Sequence, residues 1–228
     1  MQVFSNVRNP GISRAARPAV LIFAVLVAGL IFPTTAGQAQ QSSGAAAGAR
    51  SFVAEVGRQA VETLPARRLG RPAARAAFQK LLRARFDVAG IARRVFADEW
   101  QSASGDQRKE AQELYEKWVT DGLMNLLGRH TGETFRLLGA KATKKINAGQ
   151  YVVGSEIRRP GGERVRVDWS VRRAGQSWLI TNLRTPDGGD LVATHRAEFR
   201  MILEQAPSGA ESTGLEYIIE ELRIRTAP

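Results

Sequence analysis

The sequence predicts an α+β fold in which helices pack on one face of a four-stranded antiparallel sheet. Three observations carry this reading. Up to Gly132 the apolar residues recur at the three- and four-residue spacing of helical faces. From Glu133 to Thr185 the period is two, interrupted by Pro160-Gly161-Gly162 and Ala174-Gly175-Gln176, turn sequences that join antiparallel neighbours. After Pro186-Asp187-Gly188-Gly189 the helical spacing returns.

At the start of the chain Arg8, Arg14 and Arg17 precede an apolar run, Ala19 to Phe32, and the small residues Gly37-Gln38-Ala39. This is the outline of a secretory signal peptide over residues 1–39, the alternative being an uncleaved anchor. The run is shorter than the ~20 residues that a spanning helix needs. Residues 40–50 hold no large apolar side chain and read as a flexible linker. The folded domain is expected over residues 51–225.

Four helices come first. Residues 51–64 put Phe52, Val56, Ala60 and Leu64 on one face, and Pro65 closes them. Residues 72–85 open on Pro72, suited to a first helical turn, and carry Ala77, Phe78, Leu81 and Leu82 inward. Asp87 caps the third helix, with Val88, Ile91, Ala92 and Val95 as its stripe. Ser104 and Gln107 have capping-box spacing and start the fourth, whose inner face is Ala111, Leu114, Tyr115, Trp118, Gly122 and Leu126.

Four strands follow, at 133–145, 150–159, 163–173 and 177–185. In the third, Val165, Val167, Trp169 and Val171 alternate with Arg164, Arg166, Asp168, Ser170 and Arg172, so one sheet face is apolar and the other wet. Gly188 and Gly189 allow backbone angles that other residues avoid, and Asp190 can cap the next helix. That helix turns Leu191, Val192, Phe199, Ile202 and Leu203 inward. The last helix, 213–223, does the same with Leu215, Ile218, Ile219 and Leu222.

With no cysteine, disulfides and thiolate sites are excluded. The net charge is +11, and removing the three arginines of residues 1–39 leaves +8. A basic surface favours anionic partners, and export argues against nucleic acid. His130 and His195 have no carboxylate or second histidine at metal-ligand spacing, and no serine sits in a nucleophile elbow. No catalytic residue, metal or cofactor is expected. Trp100, Trp118, Trp169 and Trp178 suit a filled core or a hollow one, which composition does not separate.

One segment bears a resemblance. Phe86-Asp87, Ile91-Ala92, Trp100, Ser102-Ala103-Ser104, Gln107-Arg108 and Gly132-Glu133-Thr134-Phe135 stand in order. Further on come Val167-Asp168-Trp169-Ser170-Val171-Arg172, Trp178 to Leu183 and Thr194 to Phe199. These resemble the MlaC (Ttg2, toluene tolerance) family of periplasmic phospholipid carriers serving an ABC transporter. The chain departs from the family pattern at Asn182, at the Asp187–Asp190 loop and at His195.

The resemblance implies a hollow core that encloses acyl chains. The implied cleft lies between Val165, Val167, Trp169, Val171, Trp178 and Ile180 on the sheet and Phe86, Ile91, Val95, Tyr115, Trp118, Phe199 and Ile202 on the helices. Implied partners are a phospholipid or related lipid, an inner-membrane MCE-type protein with its ABC transporter, and an outer-membrane lipoprotein–porin complex. The location implied is the periplasm. Alternatives are a hopanoid-type polycyclic lipid as cargo, an enzyme acting on an apolar substrate in the same cleft, or a lipid-free interaction module.

Overall fold

The computed structural model describes residues 36–63, 71–127, 133–140, 143–207, 212 and 214–227. Four helices lead: α1 (Ala36–Thr63), α2 (Arg71–Arg85), α3 (Val88–Ser102) and α4 (Gly105–Leu127). Five strands follow: β1 (Thr134–Leu137), β2 (Thr143–Asn147), β3 (Gln150–Arg158), β4 (Arg164–Ala174) and β5 (Ser177–Arg184). Helices α5 (Leu191–Glu204) and α6 (Leu215–Arg225) complete the fold. The sheet is antiparallel in the order β1-β3-β4-β5, with β2 also on β3. It is an α+β domain with helices packed against a sheet.

Two expectations are corrected. The stretch 40–50 is not a linker, because α1 begins at Ala36 and runs through it. Alanine is the best helix former, and here small side chains let the helix lie close to the sheet. Ala49 is fully buried, and a Cβ on Gly48 would stand 3.3 Å from the Trp178 indole nitrogen. The expected strand 133–145 is two strands on the same edge of β3. Leu138 still donates to the Gly154 carbonyl, but the ladder then breaks until Thr143. The proposed signal segment, apart from its last residues, lies outside the described residues, as do Leu64 and His130.

The predicted caps are in place. Asp87 accepts from the Gly90 amide and Asp190 from the Ala193 amide. Ser104 and Gln107 exchange both bonds of a capping box. Inside α3, Ala97 departs from helical geometry at φ +40 and kinks the helix. Two inward assignments fail: Ala77 and Gly122 are exposed, while Ala74 is buried in place of Ala77.

The buried apolar side chains form two clusters. In one, Phe52, Val53 and Val56 of α1 cover Tyr151, Val153, Trp169, Val171, Trp178 and Ile180 on the sheet. The other is all helical, with Ile91, Val95, Phe96, Leu114, Tyr115, Phe199, Ile202, Ile218 and Leu222 at its centre. A buried side chain of this kind contributes about 1.5–3 kcal/mol, so both clusters are stabilising units in their own right. Helices α2, α3 and α5 meet the sheet along β5, where Phe86 forms a parallel bridge to Ile180 and the Asp87 amide donates to the Ile180 carbonyl.

Candidate functional site

The residues expected to face one another across a cleft divide between the two clusters. Val165, Val167, Trp169, Val171, Trp178 and Ile180 belong to the sheet cluster, the first of them only partly buried. Ile91, Val95, Tyr115, Phe199 and Ile202 belong to the helical cluster, with Trp118 partly buried against it. Phe86 packs against both. It is therefore the residue that joins the two halves of the candidate site.

At this junction lies a small apolar cavity of about 20 Å³. Its walls are Leu82 of α2, Phe86 between α2 and α3, Val88 and Ile91 of α3, Tyr115, Glu116 and Val119 of α4, and Leu191 of α5. Such a space holds at most one water-sized probe. Ligand pockets for drug-sized molecules run to ~300–1,000 Å³, so a larger apolar guest requires these helices to part.

Polar groups border the cavity at two points. On one side the Tyr115 hydroxyl lies 2.8 Å from His195 Nδ1, and the Trp118 ring meets the imidazole edge to face at 4.8 Å. Burial pulls His195 down to about 4 and pushes the Tyr115 phenol well above its usual range. Near neutral pH both are uncharged, and the phenol and Nδ1 share one hydrogen bond whose donor is set by the imidazole tautomer. The bond ties α4 to α5 and leaves no ionised group in the helical core at that point.

On the other side Glu116, nearly buried, accepts from Gln79 Nε2 and Arg83 Nε, each at 2.7 Å. Sequence reading missed this carboxylate because it lies off the Ala111–Tyr115–Trp118 face, on the side of α4 that α2 covers. His195 was legible only as a residue between Leu191 and Phe199; its partner came from the packing of α4 on α5.

The sheet cluster is closed more completely. The Trp169 indole donates to Ser155 Oγ at 2.7 Å, and that hydroxyl donates in turn to the Val167 carbonyl. Phe135 meets Trp169 edge to face, and Trp178 does the same with Tyr151. Phe135 also lies against α1 at Gly57, where a Cβ would stand 2.4 Å from the ring. Behind the sheet, Arg172 donates to Asp87 at 2.7 Å. Burial opposes the Asp87 charge, yet the Arg172 bond and the Gly90 amide hold its carboxyl below the usual range.

The profile of the family described as MlaC protein matches residues 55–223. The chain belongs to the MlaC family. Among solved structures, this MlaC-family chain is similar to a phospholipid-binding protein from Ralstonia solanacearum, solved in complex with a phospholipid. The TM-score is 0.63 at 17% identity, covering 78% of this chain and 96% of that one. At that identity the likeness establishes a shared fold. Among curated proteins, none matches the chain.

Proposed function

We propose that this protein is a periplasmic carrier that encloses the acyl chains of a phospholipid and shuttles it between the outer and inner membranes. Membership of the MlaC family over residues 55–223 carries the reading. The Ralstonia protein of the same fold binds a phospholipid, which supports the same cargo here. The donor and acceptor complexes are an inner-membrane MCE-type protein with its ABC transporter and an outer-membrane lipoprotein–porin pair. No described helix is long and apolar enough to cross a membrane, and residues 1–39 serve as the export signal.

The physical task is to lower a solvation barrier. Two acyl chains with about 30 methylenes, at roughly 0.8 kcal/mol each, cost on the order of 24 kcal/mol to hydrate. The junction at Phe86 is where chains enter, because Phe86 packs against both clusters and lines an existing apolar cavity between the helices. The carrier binds and moves its lipid without transforming it. The Tyr115–His195 pair acts as a tie between helices, its proton committed to an internal bond.

Organic extraction of the protein purified from its own host, followed by mass spectrometry, tests this. About one equivalent of diacyl phospholipid is expected. A polycyclic lipid would replace the cargo assigned here. A lipid-free protein that also takes up no fluorescent phospholipid would sink the carrier reading.

A further inference from the structure

The wall that holds Glu116 separates the apolar cavity from the outside. On its outer side α2 presents an open groove of about 500 Å³ lined by Ala76, Gln79, Lys80, Arg83 and Ala84. Arg83 spends only its Nε on Glu116, and its side chain is 64% exposed. Among the described residues no group hydrogen-bonds its two terminal nitrogens. Lys80, exposed on the same face, has no carboxylate partner among them. Arg75, one turn before Gln79, is different, since its guanidinium is committed to Asp121 at 2.6 Å.

From this we infer that the groove on α2 is a phosphate site, in which Arg83 and Lys80 hold a phosphate ester while its apolar tails enter the cavity behind Glu116. The inference rests on the carrier reading and names where the headgroup sits. Glu116 orients the guanidinium through one edge and leaves the outer edge, with its pair of N–H donors, facing the groove. That edge matches the fork geometry by which arginine takes phosphate oxygens. Lys80 adds a point charge three residues earlier, close on a helical surface. The small side chains of Ala76 and Ala84 leave room for the ester between them. The same chemistry would take a soluble phosphate ester, so the source of the phosphate is for experiment to separate.

The test measures binding of three probes to the full chain: palmitoyl-oleoyl phosphatidylglycerol, the diacylglycerol with the same tails, and glycerol phosphate. Wild type should prefer the phospholipid to the diacylglycerol by about tenfold, the worth of a charge-assisted bond. Lys80→Gln should remove much of that preference and leave diacylglycerol affinity unchanged. Lys80 is exposed and has no hydrogen bond or ion pair among the described residues, so this variant should keep the fold. Arg83→Gln should act in the same direction, although it also loosens Glu116.

Equal affinity for the two lipids in wild type, or an unchanged preference in Lys80→Gln, overturns the headgroup site and leaves the carrier standing. Glycerol phosphate binding that depends on Lys80, with no preference between the lipids, makes the groove a soluble-phosphate site and also removes the headgroup assignment. If neither lipid binds, the carrier reading beneath it fails.

Discussion

At the scale of single residues, the informative groups are those whose partners lie far off in sequence. His195 is held neutral in the fold, near 4, whereas its ordinary value is 6.5. A lowered histidine means that the unfolded chain binds the extra proton between those values. Stability from this group is therefore complete above about pH 6.5 and declines as pH falls towards 4. His195→Gln should flatten the dependence of unfolding free energy on pH in that window, by about 1–2 kcal/mol after discounting for the ring's partial exposure. Urea titrations of both proteins at pH 7 and at pH 4.5 would show it, and parallel losses would dismiss the idea. Gly57 is a second case. Nothing in its sequence context marks it, yet only the missing Cβ lets Phe135 approach α1.

At the scale of elements, spacing was legible wherever a helix had one apolar face and a cap. Asp87, Ser104 with Gln107, and Asp190 all act as their positions in the sequence indicate. The start of α1 was illegible because it carries no apolar stripe; Ala45, Ala46 and Ala49 join the sheet cluster by being small. A charge placed there discriminates helix from linker. Ala49→Glu would bury an unpaired carboxylate at a fully covered position and should cost about 2–4 kcal/mol. Increased acrylamide quenching of tryptophan fluorescence should accompany it. A flexible linker would tolerate the change with no effect on either. The loop before α5 is held at several points. Gly188 needs its φ of +92, a Cβ on Gly189 would meet Thr185 Oγ1, and Asp190 also accepts from Asn182 and Arg184. Asn182, being neutral, donates to Asp190 and puts no like charge beside it.

At the scale of the whole molecule, what the sequence left hidden was the division of the core. Each side chain assigned inward on the sheet is at least partly buried, but periodicity says nothing of which other face it meets. Among the described residues two clusters share Phe86, and the cavity sits beside it. Phe86→Ala should destabilise by about 2–4 kcal/mol, less than the full cost of a wholly buried phenylalanine. If lipid enters at this junction, the variant should also exchange fluorescent phospholipid with vesicles several times faster. A stability loss of that size with an unchanged exchange rate would place the entrance elsewhere.

The sheet's two margins carry a further consequence. A molecule that parts its helices to admit a lipid runs the hazard of strand addition, in which an open ladder recruits a second chain. One margin is interrupted, since β1 and β2 are short, separated, and joined to β3 with a register shift between Lys145 and Asn147. Lys144 and Lys145 are exposed along it. The other margin, β5, is stoppered at Ile180 by Phe86 and Asp87 and at Arg184 by Asp190. Among the described residues neither side offers a long run of unpaired amides and carbonyls. An opening of the helices would thus expose no long free ladder to seed cross-β assembly.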